Sequence, residues 1–109
     1  MNILFICTAN RDRSRTAEHI FQDLYPKFNF KSAGIDEYLC NRSNGSFVDI
    51  KSCDWANRII CMEEHHAQYL VENLGESVLS KIEILGIEDT ELYMSKTLIK
   101  MLKDAFKTK

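Results

Sequence analysis

The sequence predicts an α/β fold, a three-layer sandwich in which a four-stranded parallel sheet of order 2-1-3-4 carries helices on both faces. Three observations predict it. Short apolar runs of strand length alternate along the chain with stretches whose apolar residues recur at helical spacing. The first run, Asn2-Ile3-Leu4-Phe5-Ile6-Cys7, is apolar almost throughout, as in a strand covered on both faces. Parallel neighbours also need crossover connections, and the helical stretches supply them with right-handed geometry. At 109 residues, with 45% hydrophobic and 28% charged side chains, residues 1–109 are expected to form one domain around one sheet.

The elements follow in order. After the first strand, Ala17, Ile20, Phe21 and Leu24 fall on one helical face, with the Ser14 hydroxyl as expected N-cap and Pro26 ending the helix near Tyr25. Phe28 to Ala33 alternates before Gly34, which predicts an edge strand. Residues 35–56 are polar, and Phe47, Val48, Ile50 and Trp55 are expected to form the buried side of a short helix. Arg58 to Met62 reads as a buried strand. A helix from Glu63 to about Leu74 follows it, with acidic residues in its first turn and Gly75 beyond its end. Lys81 to Leu85 is the fourth strand. The last helix begins near Ser95 and sets Leu98, Ile99, Leu102 and Phe106 against a face of lysines.

Composition excludes several classes of function. Fourteen Lys and Arg against sixteen Asp and Glu give a formal charge of -2, so no basic surface for nucleic acid is expected. The apolar opening is too short for a membrane span and lacks the flanks of a signal peptide, so no membrane association and a cytoplasmic location are expected. Cys7, Cys40, Cys53 and Cys61 are spaced too widely for a metal knuckle, and His65-His66 are adjacent rather than one helical turn apart. Neither a metal nor another cofactor is expected. Cys61 reads as core, while Cys40 and Cys53 read as surface or partly buried thiols.

The chemistry concentrates between the first strand and the first helix, at the switch point where such sheets bind ligands. There the chain reads Cys7-Thr8-Ala9-Asn10-Arg11-Asp12-Arg13-Ser14, a Cys and an Arg separated by five residues. A tight strand-to-helix loop aims successive backbone N–H groups at one point, and the helix N-terminus adds positive potential, so Thr8, Ala9, Asn10, Arg11, Asp12 and Ser14 form an expected oxyanion cradle. The same field favours a thiolate at Cys7, the candidate nucleophile. Arg13 offers a planar fork for two phosphoryl oxygens, and Ser14 can donate to the sulfur. Asn10 is expected to bond across the loop or to take a left-handed backbone conformation.

This segment resembles the phosphate loop of the low-molecular-weight protein tyrosine phosphatase family, and the resemblance extends to Ile3–Cys7, Ala17-Glu18, Ser32-Ala33-Gly34 and Ile60-Cys61-Met62-Glu63. It implies a phosphomonoester hydrolase that needs no metal and acts through a cysteinyl-phosphate. The expected partners are a phosphorylated protein or small phosphomonoester, with inorganic phosphate or a similar oxyanion in the loop. The family's general acid is an Asp on a loop near the C-terminus, and Asp89, after the fourth strand, is the candidate. Departures from the pattern are visible. Asp89 precedes Thr90-Glu91 instead of Pro-Tyr, which leaves Tyr93 as the expected aromatic wall. Asp12 stands where many members carry a second Cys, and it either opposes a phosphate dianion or turns away to pair with Arg11 or Arg15. Arg11 at the pocket lip favours acidic flanking groups on a substrate. Two further readings remain open: a thioredoxin-linked arsenate reductase relaying a disulfide through Cys53 and Cys61, and a phosphate- or phosphopeptide-binding module with weak turnover.

Overall fold

In the computed structural model, which describes residues 1–108, the opening apolar run becomes β1 (Asn2–Cys7), buried from Ile3 to Cys7. A strand so covered must pair its N–H and C=O groups on both edges, because no water reaches them. β2 (Asn29–Gly34) and β3 (Arg58–Cys61) flank it, and β4 (Ile82–Ile84) adds to β3. All pairs are parallel and the order is β2-β1-β3-β4, as the sequence predicts. The register sets Cys7 beside Gly34 and Ile6 beside Cys61, so the carboxyl ends of β2, β1 and β3 finish together.

The helices are α1 (Arg13–Leu24), α2 (Glu37–Arg42), α3 (Ile50–Trp55), α4 (Glu64–Leu74) and α5 (Lys96–Ala105), with a 3-10 helix at Glu76–Lys81. Alternation along β1 divides the core in two. Ile3, Phe5 and Cys7 meet Ala17, Ile20 and Phe21 of α1 and Leu98 and Leu102 of α5. Leu4 and Ile6 face the other way, against Val48, Cys53, Ala67, Leu70 and Val78. The first layer is aromatic: Phe5 lies 5.7 Å from Phe21 and 5.3 Å from Phe106, ring centre to ring centre, and Phe21 and Phe106 are 4.6 Å apart. Such pairs add about 0.5–1.5 kcal/mol each beyond their buried area and fix α1 and α5 on the sheet.

Three expectations are corrected. Ser14 is no N-cap: the helix starts one residue earlier, Asp12 stands at its boundary without a side-chain cap bond, and Ser14 points inward, fully buried. Residues 35–56 hold two short helices instead of one, each capped by an aspartate side chain: Asp36 accepts from the Leu39 N–H and Asp49 from the Ser52 N–H. Val48 is buried and Trp55 half-buried, but Phe47 and Ile50 are exposed, because the segment wraps the sheet edge instead of packing one face on it. Finally, Cys40 and Cys53 are fully buried, not partly exposed thiols.

Among the described residues no helix is long and apolar enough to cross a membrane.

Candidate active site

The end of β1 and the start of α1 enclose residues 7–14, and this loop is tied down from every side. Asn10 adopts the left-handed conformation, φ 51°, one of the two outcomes its sequence position predicts, and it also bonds across the loop. Its side-chain amide donates to Ser14 Oγ and Ser32 Oγ, both at 2.9 Å, while its Oδ1 accepts the Ser46 N–H at 2.8 Å. Ser14 Oγ lies 2.9 Å from Cys7 Sγ, so one hydroxyl links the asparagine strut to the sulfur. Two glycines make this closeness possible. A Cβ on Gly34 would lie 2.5 Å from both the Thr8 carbonyl oxygen and Cys40 Sγ, and one on Gly45 would lie 2.8 Å from the Asn10 carbonyl oxygen.

Arg13 is only 2% exposed and held from three directions. Its Nη1 donates to the Glu63 carboxylate and, at 2.8 Å, to the Ile87 carbonyl, and its Nη2 lies 3.4 Å from Thr8 Oγ1. A buried guanidinium without a counter-ion costs several kcal/mol, so Glu63 at the head of α4 is what permits its burial here. His66, one turn on, is fully buried and reaches back: its Nδ1 accepts the Glu63 N–H at 3.0 Å, and its Nε2 meets Thr8 Oγ1 at 3.0 Å. Burial, then the neighbouring cations, push its pKa down to about 3. Neither Glu63 nor His66 carries a site role in the sequence reading; the signal for them is a carboxylate and a histidine three residues apart at a helix head directly after a buried strand.

The pit above the sulfur is lined by Cys7, Thr8, Ala9, Arg11, Asp12, Arg13 and Asp89. Asn10 and Ser14 lie beneath it, as braces for the loop. Asp89 is 64% exposed, and its Oδ1 is 3.9 Å from Arg13 Nε. Asp12 turns aside: one carboxylate oxygen lies 3.6 Å from Arg11 Nε, and the other accepts the Tyr93 N–H at 2.9 Å. A carboxylate so engaged clips the segment bearing Asp89 onto the loop. Thr16 assists by accepting the Met94 N–H at 2.9 Å, where Met94 has a φ of 61°.

Beyond the pit a cleft of about 770 Å³ opens between α2 and the Asp89 segment, lined by Tyr38, Leu39, Arg42 and Ser43 on one side and Asp89 to Leu92 on the other. The expected aromatic wall is corrected here. Tyr93 faces α1, its hydroxyl 2.6 Å from His19 Nδ1, and Tyr38 takes the wall position, with Arg42 donating to its hydroxyl at 3.2 Å.

Residues 2–66 match the family model described as low molecular weight phosphotyrosine protein phosphatase. The chain belongs to that family. No curated protein sequence matches it. Among solved structures, Wzb of Vibrio vulnificus in complex with benzylphosphonate is 18% identical, with a TM-score of 0.77 over 95% of this chain and 92% of that one. The tyrosine phosphatase Wzb from Escherichia coli K30 in complex with phosphate is 20% identical, TM-score 0.74, over 95% and 91%. The YwlE arginine phosphatase from Geobacillus stearothermophilus is 21% identical, TM-score 0.66, over 95% and 82%. Identities at this level show a shared fold, and in it the loop of residues 7–14 occupies the crevice at the end of the first strand of the family's sheet.

Of the other thiols, Cys40 lies behind the loop, its sulfur 3.8 Å from the Thr8 carbonyl oxygen, while two are across the sheet from the pit. Cys53 and Cys61 pack in the core layer opposite Cys7, and burial pushes their pKa values up to about 11 and about 12. Burial raises that of Cys40 as well. One group among the described residues has metal-ligand character: Glu63, His65 and His66. Both nitrogens of His66 are hydrogen-bonded and the Glu63 carboxylate is held by Arg13, so the trio does not present three free lone pairs to an ion.

Proposed function

We propose that the chain is a phosphomonoester hydrolase, protein tyrosine phosphatase-like, acting through a cysteinyl-phosphate. The observation that carries the reading is the pit itself, where a sulfur at the carboxyl end of a buried strand, a buried guanidinium and an exposed carboxylate converge. In the first step the Cys7 thiolate attacks phosphorus, the phosphorus–oxygen ester bond breaks, and the Asp89 carboxyl gives its proton to the departing oxygen. In the second, the Asp89 carboxylate takes a proton from water as that water attacks phosphorus; the phosphorus–sulfur bond breaks and inorganic phosphate leaves. Backbone N–H groups of the loop and the Arg13 fork, both pre-positioned, stabilise the charge that spreads over the phosphoryl oxygens. Ser14 Oγ, 2.9 Å from the sulfur, steadies the thiolate when it is the leaving group.

The substrates this reading favours are an aryl phosphate in a protein or a small phosphomonoester, with the ring against Tyr38 and Leu39. A disulfide relay through Cys53 and Cys61 has less support, since both thiols are buried across the sheet from the pit.

Hydrolysis of an aryl phosphate between pH 5 and 8 without added metal, wild type against Cys7→Ser, tests the reading. We expect the substitution to lower turnover about 10⁴-fold or more while leaving inorganic phosphate binding in place. Folded wild type with no activity above the mutant overturns it and leaves a phosphate-binding module in its place.

A further inference from the structure

His66 is fully buried, and its bonding determines where its proton lies. The Glu63 N–H only donates, so Nδ1, 3.0 Å away, holds a lone pair, and the neutral ring carries its hydrogen on Nε2. Nε2 therefore donates to Thr8 Oγ1 at 3.0 Å. Arg13 Nη2 donates to the same oxygen at 3.4 Å. A hydroxyl accepts two hydrogen bonds and donates one. With both acceptor positions of Thr8 filled, its own proton points away from His66 and Arg13, and among the described residues no acceptor receives it. Thr8 lines the pit beside Cys7, Arg13 and Asp89.

We propose that His66 is a positioning residue that makes the Thr8 hydroxyl a fixed hydrogen-bond donor to the oxyanion seated over Cys7. The contact adds to the backbone N–H groups of the loop and rests on reading the pit as the phosphomonoester site. The direction of the chain matters more than its presence. Were the ring's proton on Nδ1, Thr8 would give its hydrogen to Nε2 and turn a lone pair toward the anion. The Glu63 N–H, fixed at the head of α4, excludes that arrangement, and so a helix terminus more than fifty residues away in the sequence sets the polarity of a side chain in the phosphate loop.

Two readouts test this on the intact chain: binding of inorganic phosphate by calorimetry, and kcat and KM for an aryl phosphate from pH 5 to 8. Thr8→Val, nearly isosteric, is expected to weaken phosphate binding and lower kcat/KM about tenfold each. Thr8→Ser is expected to stay within about threefold of wild type, because it keeps the hydroxyl. His66→Phe is expected to match Thr8→Val, and the double variant to be no worse than either single one. The neutral ring predicts that the shape of the pH profile is unchanged in every folded variant. Phosphate binding and kcat/KM within twofold of wild type in Thr8→Val overturn the proposal whether or not His66→Phe folds; in a folded His66→Phe, losses that multiply with those of Thr8→Val in the double variant overturn it as well. Phosphate affinity that depends on Thr8 in a wild type without turnover would sustain it and instead overturn the hydrolase reading.

Discussion

Two segments meet across the pit, and they are built in opposite ways. Residues 7–14 are braced from beneath and behind: Asn10, Arg13 and Ser14 are all buried, and their bonds reach Ser32, Ser46, Glu63 and Ile87 on four different parts of the chain. The segment carrying Asp89 lies on the surface, joined to the loop and α1 by polar contacts at its rim: Asp89 to Arg13, Tyr93 N–H to Asp12, Met94 N–H to Thr16 and Tyr93 hydroxyl to His19. The difference teaches where accuracy is needed. A nucleophile and an oxyanion cradle work only within a fraction of an ångström, whereas a proton donor tolerates approach from a surface segment that lets substrate in and product out.

The largest effect should come from removing the proposed acid without touching the frame. Asp89→Asn is expected to slow hydrolysis of alkyl phosphates about 100- to 1000-fold and that of a nitrophenyl phosphate only a few-fold, since a good leaving group needs little protonation. Urea unfolding should show no change, because the side chain is largely exposed. Equal rates on both substrates would assign the proton to Glu88 or Glu91. Next is Asn10→Ala, which strikes the braced segment. It removes three hydrogen bonds and leaves alanine in a left-handed conformation, so a loss of about 3 kcal/mol in urea unfolding should accompany a drop in turnover on all substrates alike. Stability without activity loss would mean that the loop holds its shape by backbone alone. The smallest effect is expected from Asp12→Ala, which cuts one tether between the segments: about fivefold on alkyl phosphates, little on nitrophenyl phosphate, measured as the ratio of the two kcat/KM values. A rise in activity would show that the carboxylate opposes the substrate.

The fold and the loop of residues 7–14 are legible because their signals are local. An unbroken apolar strand, a Cys and an Arg five residues apart and a helix with one apolar face can each be read within a dozen positions. What escaped depends on distance along the chain. Glu63 meets Arg13 across 50 positions, His66 meets Thr8 across 58, and Tyr93 meets Asp12 across 81. A carboxylate and a histidine three residues apart at a helix head mark Glu63 and His66, but nothing local announces the partners they meet. Asp12 shows the cost most plainly: its place beside Arg13 allows either a charge opposing the phosphate or a pairing with Arg11 or Arg15, and only the folded chain selects Arg11 and reveals the Tyr93 N–H that the carboxylate receives. Residues 35–56 failed for another reason. The segment runs along an edge, so its buried positions follow no single period, and two of the four residues assigned to the core face solvent.

Gly34 bears on how stiffly the Cys7 sulfur is mounted. With the Thr8 carbonyl oxygen and Cys40 Sγ both 2.5 Å from where a Cβ would be, residue 34 can place no side chain of its own between the edge strand and the loop. At this point position passes from the sheet to the loop through main chain, with the Ile35 N–H donating to the Cys7 and Thr8 carbonyls beside the Asn10–Ser32 side-chain bond, and main-chain geometry does not switch rotamers. The thiol inherits the small thermal excursions of a parallel sheet rather than those of a surface turn, much as a cutting edge holds its line when it is machined into the tool body instead of clamped to it.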